Sequence, residues 1–260
     1  MTTASEETGL VTGERVTTAA GGFNPTWQRH VAAYEQCSPL LPGGRLLDLG
    51  CGVGHSFRLL DPRETVGVDI DPGALAGQDR ETRVADMREL PFGDGEFDSV
   101  LAVQSIEHVP DPERVVAEAQ RVLKPSGVAV LVTPNRLTFA RPDEIIDPYH
   151  YVEFSADQLE SLCSRFFARV ELHGLFGSER YLRLVDGERA ELDRLLRLDP
   201  LRIRRLVPRR ARQGLYDRLL SRNRATDDPA AAAITPRDFT LRGGQLDEAL
   251  DLIAVCHREG

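Results

Sequence analysis

LLDLGCGVG, residues 46–54, is the stretch whose reading decides the fold. Leu46, Leu47 and Leu49 form the apolar run of a buried strand. Gly50, Gly52 and Gly54 follow at alternate positions, which predicts a tight turn with no Cβ between the backbone and a ligand. Asp48 puts a carboxylate at the strand's end. The segment SFRLL (56–60), free of Gly and Pro, predicts the start of a helix. Strand, glycine turn and helix make the crevice in which α/β sheets hold nucleotide-like ligands. A dinucleotide fingerprint requires G-x-G-x-x-G, and its third glycine would fall on His55. That spacing disfavours an NAD-dependent oxidoreductase.

TVGVDID (65–71) is a second apolar strand ending in acids, and Asp69 lies 19 residues beyond Gly50. A carboxylate there can accept hydrogen bonds from both hydroxyls of a ribose. Asp71 before Pro72 fits a helix cap instead. TRVADMRELPF (82–92) places Asp86 and Met87 after a short strand. EFDSVLAVQSIEHV (96–109) and RVLKPSGVAVLVTPN (121–135) supply a fourth strand with its exit loop and a helix–turn–strand. In order and spacing, these five segments resemble the type 11 group of class I S-adenosylmethionine (SAM) methyltransferases. The resemblance covers residues 40–177 well and the C-terminal strand more loosely.

The resemblance implies an α/β fold: a doubly wound, mostly parallel seven-stranded sheet with an antiparallel edge and a helical insertion before the last strand. It implies SAM as cofactor and S-adenosylhomocysteine as product. Contacts are then expected from Asp48, Gly50, Cys51, Gly52, Gly54, Asp69, Ile70, Asp86, Met87 and Gln104, with Asp86 on the adenine amino group and the next backbone amide on the ring. The expected domains are a flexible segment at 1–25, a core at 26–177, an Arg-rich helical cap at 178–248 and a final strand at 249–260. Residues 26–37 suit a helix that in related enzymes covers the SAM pocket. Trp27, Arg29 and His30 are then lid candidates, unless the helix is simply a surface one. DDPAAAAITP (227–236) reads as a linker.

Composition narrows the partners. A length of 260 residues and 41% hydrophobic content suit one domain with an insertion. Thirty-two basic residues against 41 acidic ones give a net charge of −9, which argues against general nucleic-acid binding. The stretch 200–224 runs the other way, with nine arginines, one acid (Asp217) and interleaved leucines. It reads as a solvated face, as a cap attracting an acidic substrate, or as a surface for a membrane or a second copy in a homodimer. No apolar run approaches the roughly 20 residues of a membrane span. The N-terminus lacks the basic and apolar regions of a secretory signal. Cys37, Cys51, Cys163 and Cys256 form no C-x-x-C pair and read as reduced thiols of a cytoplasmic protein.

Methyl transfer to a hydroxyl needs a base, and histidine suits neutral pH. His150, in DPYHYVEF (147–154), is the expected catalytic base, with Asp147 and Glu153 near it in sequence to orient the ring. His108, in QSIEHV (104–109), stands second. No spacing marks a metal site and none is expected, although Asp147 and Glu107 are the carboxylates one would use. The leading acceptor is a small molecule, a sugar or glycan precursor. This follows a looser likeness of TGER (12–15), DPYHYVEF, the Arg-rich stretch and ALDLIAVCH (249–257) to actinobacterial methyltransferases of glycan assembly. O- or C-methylation of a polyketide or quinone is the alternative, and a SAM-binding protein without transfer activity is another.

Overall fold

The computed structural model describes residues 24–139, 144–197, 207–208, 211–214 and 228–259. Five strands alternate with helices and short turns. They are β1 (Arg45–Leu49), β2 (Glu64–Asp69), β3 (Glu81–Val84), β4 (Phe97–Val103) and β5 (Leu123–Pro134). β6 (Arg169–Gly177), β7 (Phe239–Arg242) and β8 (Asp251–His257) complete the sheet. The strand order is β3-β2-β1-β4-β5-β8-β6-β7. β1 to β5 are parallel, β8 runs antiparallel to both β5 and β6, and β7 runs antiparallel to β6. Chain order reverses between β1 and β4, so their carboxyl ends frame a crevice.

The central strands are nearly continuous apolar runs because both faces of the sheet are covered. One core holds Leu47, Leu49, Val100, Leu131 and Leu252 under α3 (Pro112–Val122) and α5 (Ala156–Cys163). The other holds Leu46, Leu101, Val130 and Ile253 under α1 (Asn24–Cys37). Capping fixes where the helices begin. Asp71 accepts from Gly73 N at the head of the short α2 (Pro72–Leu75), as its position before proline predicts. Ser155 and Gln158 make a reciprocal capping box at α5. A four-residue turn, α4 (Arg136–Phe139), follows β5.

Three expectations change. The sheet has eight strands rather than seven, because FTLR at 239–242 adds an edge to β6. Four residues give too short an alternation to read against the cap assigned there. SFRLL gives only a 3-10 turn at Phe57–Leu60, not an α-helix. Asp61 before Pro62 is held extended and stops it. Within 227–236, Pro229–Ala232 is a capped helical turn, α7, with Ala231 and Ile234 buried. The Asn24 side chain donates to the carbonyls of Ala231, Ala232 and Ile234, so this stretch is docked rather than a free linker. α6 (Glu179–Leu196) leaves β6 as an amphipathic helix. Buried Asp238 ties Ser178 and Arg180 to the turn before β7.

Residues 1–23 and most of 200–224 lie outside the described residues, and with them the flexible segment and the basic face. Among the described residues, no helix is long and apolar enough to cross a membrane.

Candidate active site

A cavity of about 300 Å³ opens where β1 and β4 diverge. At one end the chain turns sharply after β1. Gly50 and Gly52 have φ of +67° and +53°, which side-chain-bearing residues rarely adopt. A Cβ on Gly50 would come 2.5 Å from Cβ of Ser105, while one on Gly52 would meet nothing within 4 Å. The first glycine therefore lets β1 and β4 approach, and the second leaves backbone open to a ligand. The Asp69 carboxylate accepts from Gly52 N and Asp71 N, both at 2.9 Å, which fixes it at the tip of β2. Ile70 lies beside it, 69% exposed.

Of the residues expected to hold the cofactor, Gly50, Cys51, Gly52, Asp69, Ile70, Asp86, Met87 and Gln104 line this cavity. Asp48 and Gly54 do not. The Asp48 side chain is buried beneath the turn, ion-paired with Arg80 at 2.9 Å and accepting from the Tyr34 hydroxyl at 3.0 Å. Burial pushes its pKa up, and Arg80 opposes that. Gly54 faces Gln78, whose amide donates to the Gly52 carbonyl. Both residues support the turn from behind. Asp86 is gripped through both oxygens by Arg88, whose hydrogen bonds hold its pKa below the usual carboxylate range. Gln104 has φ +47° and donates to Asp251 at 2.8 Å. Arg29 grips the same carboxylate through two nitrogens, so Arg29 braces the cavity and is not a lid residue. Burial alone would depress Arg29, but Asp251 keeps it charged.

Three wall residues escaped the sequence reading or were placed there only loosely. His30 and Tyr34 line the cavity from α1, and His55 lines it from the glycine turn. The Trp27 ring lies 4.2 Å from that of His55. Positions 27, 30 and 34 share one helical face, a signal the spacing carried. Burial pushes both His30 and His55 down to about 4, so both are neutral at pH 7.

His108, Val109, Pro110 and Tyr151 line the cavity too. His108 faces the cavity, but His150 does not line it. His150 is buried behind, with ring centroids 5.0 Å apart. Its Nδ1 lies 3.0 Å from Glu153 Oε1, and its Nε2 lies 3.9 Å from Asp147 Oδ2. Burial opposes protonation of His150, but Glu153, Asp147 and Glu107 together raise its pKa. Glu107 is buried too and accepts from the Thr133 hydroxyl at 3.0 Å. Burial lifts its pKa to about 7. Glu107, His108 and His150 each bring one ligand-capable atom within 4.8 Å of the others.

The glycine cradle, the tethered Asp69 and the Asp86–Met87 wall fit a SAM molecule, and the cavity volume falls in the range of ligand pockets. Residues 47–131 match the model of a methyltransferase domain family, type 11. A protein of Mycobacterium tuberculosis described as a probable S-adenosylmethionine-dependent methyltransferase is 32% identical, over 98% of this chain and 92% of its own length. A similarly described protein of Mycolicibacterium smegmatis is 32% identical over 95% of each chain. Among solved structures, a SAM-dependent methyltransferase of Thermotoga maritima superposes with a TM-score of 0.59 at 17% identity, over 91% of this chain and 90% of that one, and shares the fold.

Proposed function

The chain belongs to the type 11 class I SAM-dependent methyltransferases, and from that premise we propose that it methylates a hydroxyl of a small molecule, a sugar or glycan precursor first. SAM supplies a methyl group on a sulfonium, and the protein's part is to align an acceptor with it. Asp69 and the open Gly52 backbone hold the nucleoside, while Asp86 and Met87 bound the base. The observation that carries the reading is the acid–imidazole cluster of Glu107, His108 and His150, with His108 in the cavity wall. A hydroxyl must lose a proton as it attacks, and an imidazole in the wall can take it. His108, in the wall, is the imidazole that meets the hydroxyl. His150, the expected base, acts through it as a positioning residue, with Glu153 setting its ring.

Val109, Pro110 and Tyr151 make part of this wall apolar, which favours an aromatic or polyketide hydroxyl as the second acceptor class. A cytoplasmic setting belongs to the same proposal and is supported by four free, buried cysteines. So does a role for the basic stretch at a membrane surface or a dimer face. The test is transfer of labelled methyl from SAM to a panel of sugars, phenols and amines. Hydroxyl acceptors should be methylated, and His108→Ala should lower kcat by about 10²–10⁴-fold with S-adenosylhomocysteine affinity unchanged. Transfer to amines alone, or full turnover in both His108→Ala and His150→Ala, would reject the reading. No transfer despite tight SAM binding would favour a non-catalytic SAM-binding protein.

A further inference from the structure

Gln104, His30 and His55 line the cavity, and the roles given to Asp69, Asp86 and His108 leave all three side chains unassigned. Gln104 leaves β4 with φ +47°, a conformation that a residue with a side chain keeps only where its surroundings over-determine it. Here the surroundings are a brace. Gln104 Nε2 donates to Asp251 Oδ1 at 2.8 Å, and Arg29 grips both oxygens of the same carboxylate. A carboxylate held by a guanidinium accepts and does not donate, so this contact assigns the amide nitrogen to Asp251. Oε1 is the amide atom left for the cavity, with no hydrogen-bond partner among the described residues.

His30 follows Arg29 in the chain, so the arginine that orients Gln104 also fixes the part of α1 that presents this ring. Its Nδ1 lies 3.3 Å from the Thr26 carbonyl, which can only accept, so Nδ1 carries the proton. Burial holds the ring near 4, and at pH 7 Nε2 is a bare lone pair without a partner among the described residues. The ring of His55 lies 6.2 Å away, centroid to centroid. Its Nε2 is buried and also lacks a hydrogen-bond partner among the described residues. A buried polar atom left unsatisfied carries a cost that a ligand group can remove.

The chemistry of these atoms selects their ligand. Lone pairs on Gln104 and His30 repel a carboxylate or a phosphate. The burial that keeps both imidazoles neutral equally penalises an ammonium, and Arg29 adds positive charge beside His30. A hydroxyl satisfies all three atoms. It donates to Gln104 and to His30, and it donates to or accepts from His55 in either tautomer. We propose that Gln104, His30 and His55 form a subsite for the non-reacting hydroxyls of a neutral, polyhydroxylated ring. The proposal rests on hydroxyl methylation and narrows its acceptor to polyols, away from phenols and polyketides. The subsite holds the ring while one further hydroxyl meets His108 and the methyl group.

The experiment is binding of methyl hexosides to full-length protein saturated with S-adenosylhomocysteine, followed by calorimetry. A hexoside should bind at least about tenfold more tightly than cyclohexanol, the matching aminosugar or the matching uronate. Gln104→Leu and His30→Phe should each weaken the hexoside by about tenfold. S-adenosylhomocysteine affinity should stay unchanged, because Arg29 still holds Asp251. A merely structural role would move both affinities together and would overturn the subsite. So would no hexoside binding, tighter binding of cyclohexanol or the uronate, or hexoside affinity indifferent to both substitutions. Should the variants not fold, deoxyhexosides decide on the wild type. Stepwise loss of affinity as hydroxyls are removed supports the subsite, and equal affinity across the series overturns it. Hexoside binding that depends on Gln104 and His30, with no methyl transfer to any hydroxyl, would remove the proposed function and leave the subsite standing. Hydroxyl methylation whose kcat/KM ignores both residues would do the reverse.

Discussion

At the glycine turn the cavity wall comes from a few consecutive residues and exposes backbone. Around His108 the wall and the groups behind it come from side chains of two loops about 40 positions apart. The first end is specified by conformation: positive φ at Gly50 and Gly52, and a carboxylate tied to two amides. The second is specified by electrostatics, with carboxylates and imidazoles shielded from water and setting one another's charge. The lesson is that one cavity can be robust in shape at one end and adjustable in charge at the other.

The largest expected effect tests whether the two ends are separable. Asp69→Ala removes a charged acceptor for two ribose hydroxyls, each bond worth about 1.5–3 kcal/mol. S-adenosylhomocysteine affinity measured by calorimetry should fall by about 10²–10⁴-fold. Glu107→Gln should leave that affinity nearly unchanged. Equal losses in both variants would mean that the ends are one unit.

An intermediate effect should come from acid, and it should strike the cofactor end. Burial holds His30 and His55 near 4 in the folded protein, below the ordinary value of 6.5. A depressed pKa contributes stability that is complete above pH 6.5 and lost as pH falls towards 4. Asp86, Asp98 and Glu118, whose folded values are also depressed, act only below the ordinary carboxylate range, while Glu107, raised to about 7, offsets part of the loss across the same window. Thermal unfolding followed from pH 7 to 4 should thus show a decline that His30→Gln/His55→Gln flattens. An unchanged slope in that double variant would assign acid sensitivity elsewhere.

The smallest effect sharpens the role of Asp86. Both of its oxygens are engaged by Arg88. Arg88→Ala frees the carboxylate to turn towards an adenine amino group, and S-adenosylhomocysteine affinity should rise by up to about fivefold. A drop in affinity would show that Arg88 itself touches the nucleoside.

The contrast between the ends also explains what was legible beforehand. Gly50, Gly52, Asp69 and Asp86 stand at fixed distances along strands whose apolar runs are unmistakable, so local spacing was enough. Asp48 fits the same pattern yet faces Tyr34 and Arg80, because a residue at a strand's end can point below the turn as readily as above it. His150 was expected as the base in the wall, but it lies behind His108, and that depth depends on how the loop after β5 folds over Glu107. Two backbone bonds record that fold, from Tyr151 N and Val152 N to the Glu107 carbonyl. No periodicity encodes such a contact. The eighth strand was hidden for another reason: Phe239–Arg242 is stabilised by its β6 neighbour rather than by its own four residues.

The brace formed by Arg29, Gln104 and Asp251 has a consequence for how the protein comes into being. Arg29 and Asp251 are separated by 222 positions, so this wall of the cavity closes only after β8 has been synthesised and inserted between β5 and β6. The glycine turn exists much earlier on the ribosome, but as half a pocket. A cofactor that relies on this wall adds its binding energy to the folded state. S-adenosylhomocysteine at a hundred times its Kd would add about 2.7 kcal/mol to that state alone. The brace in this way ties cofactor binding to the docking of α1 against β8.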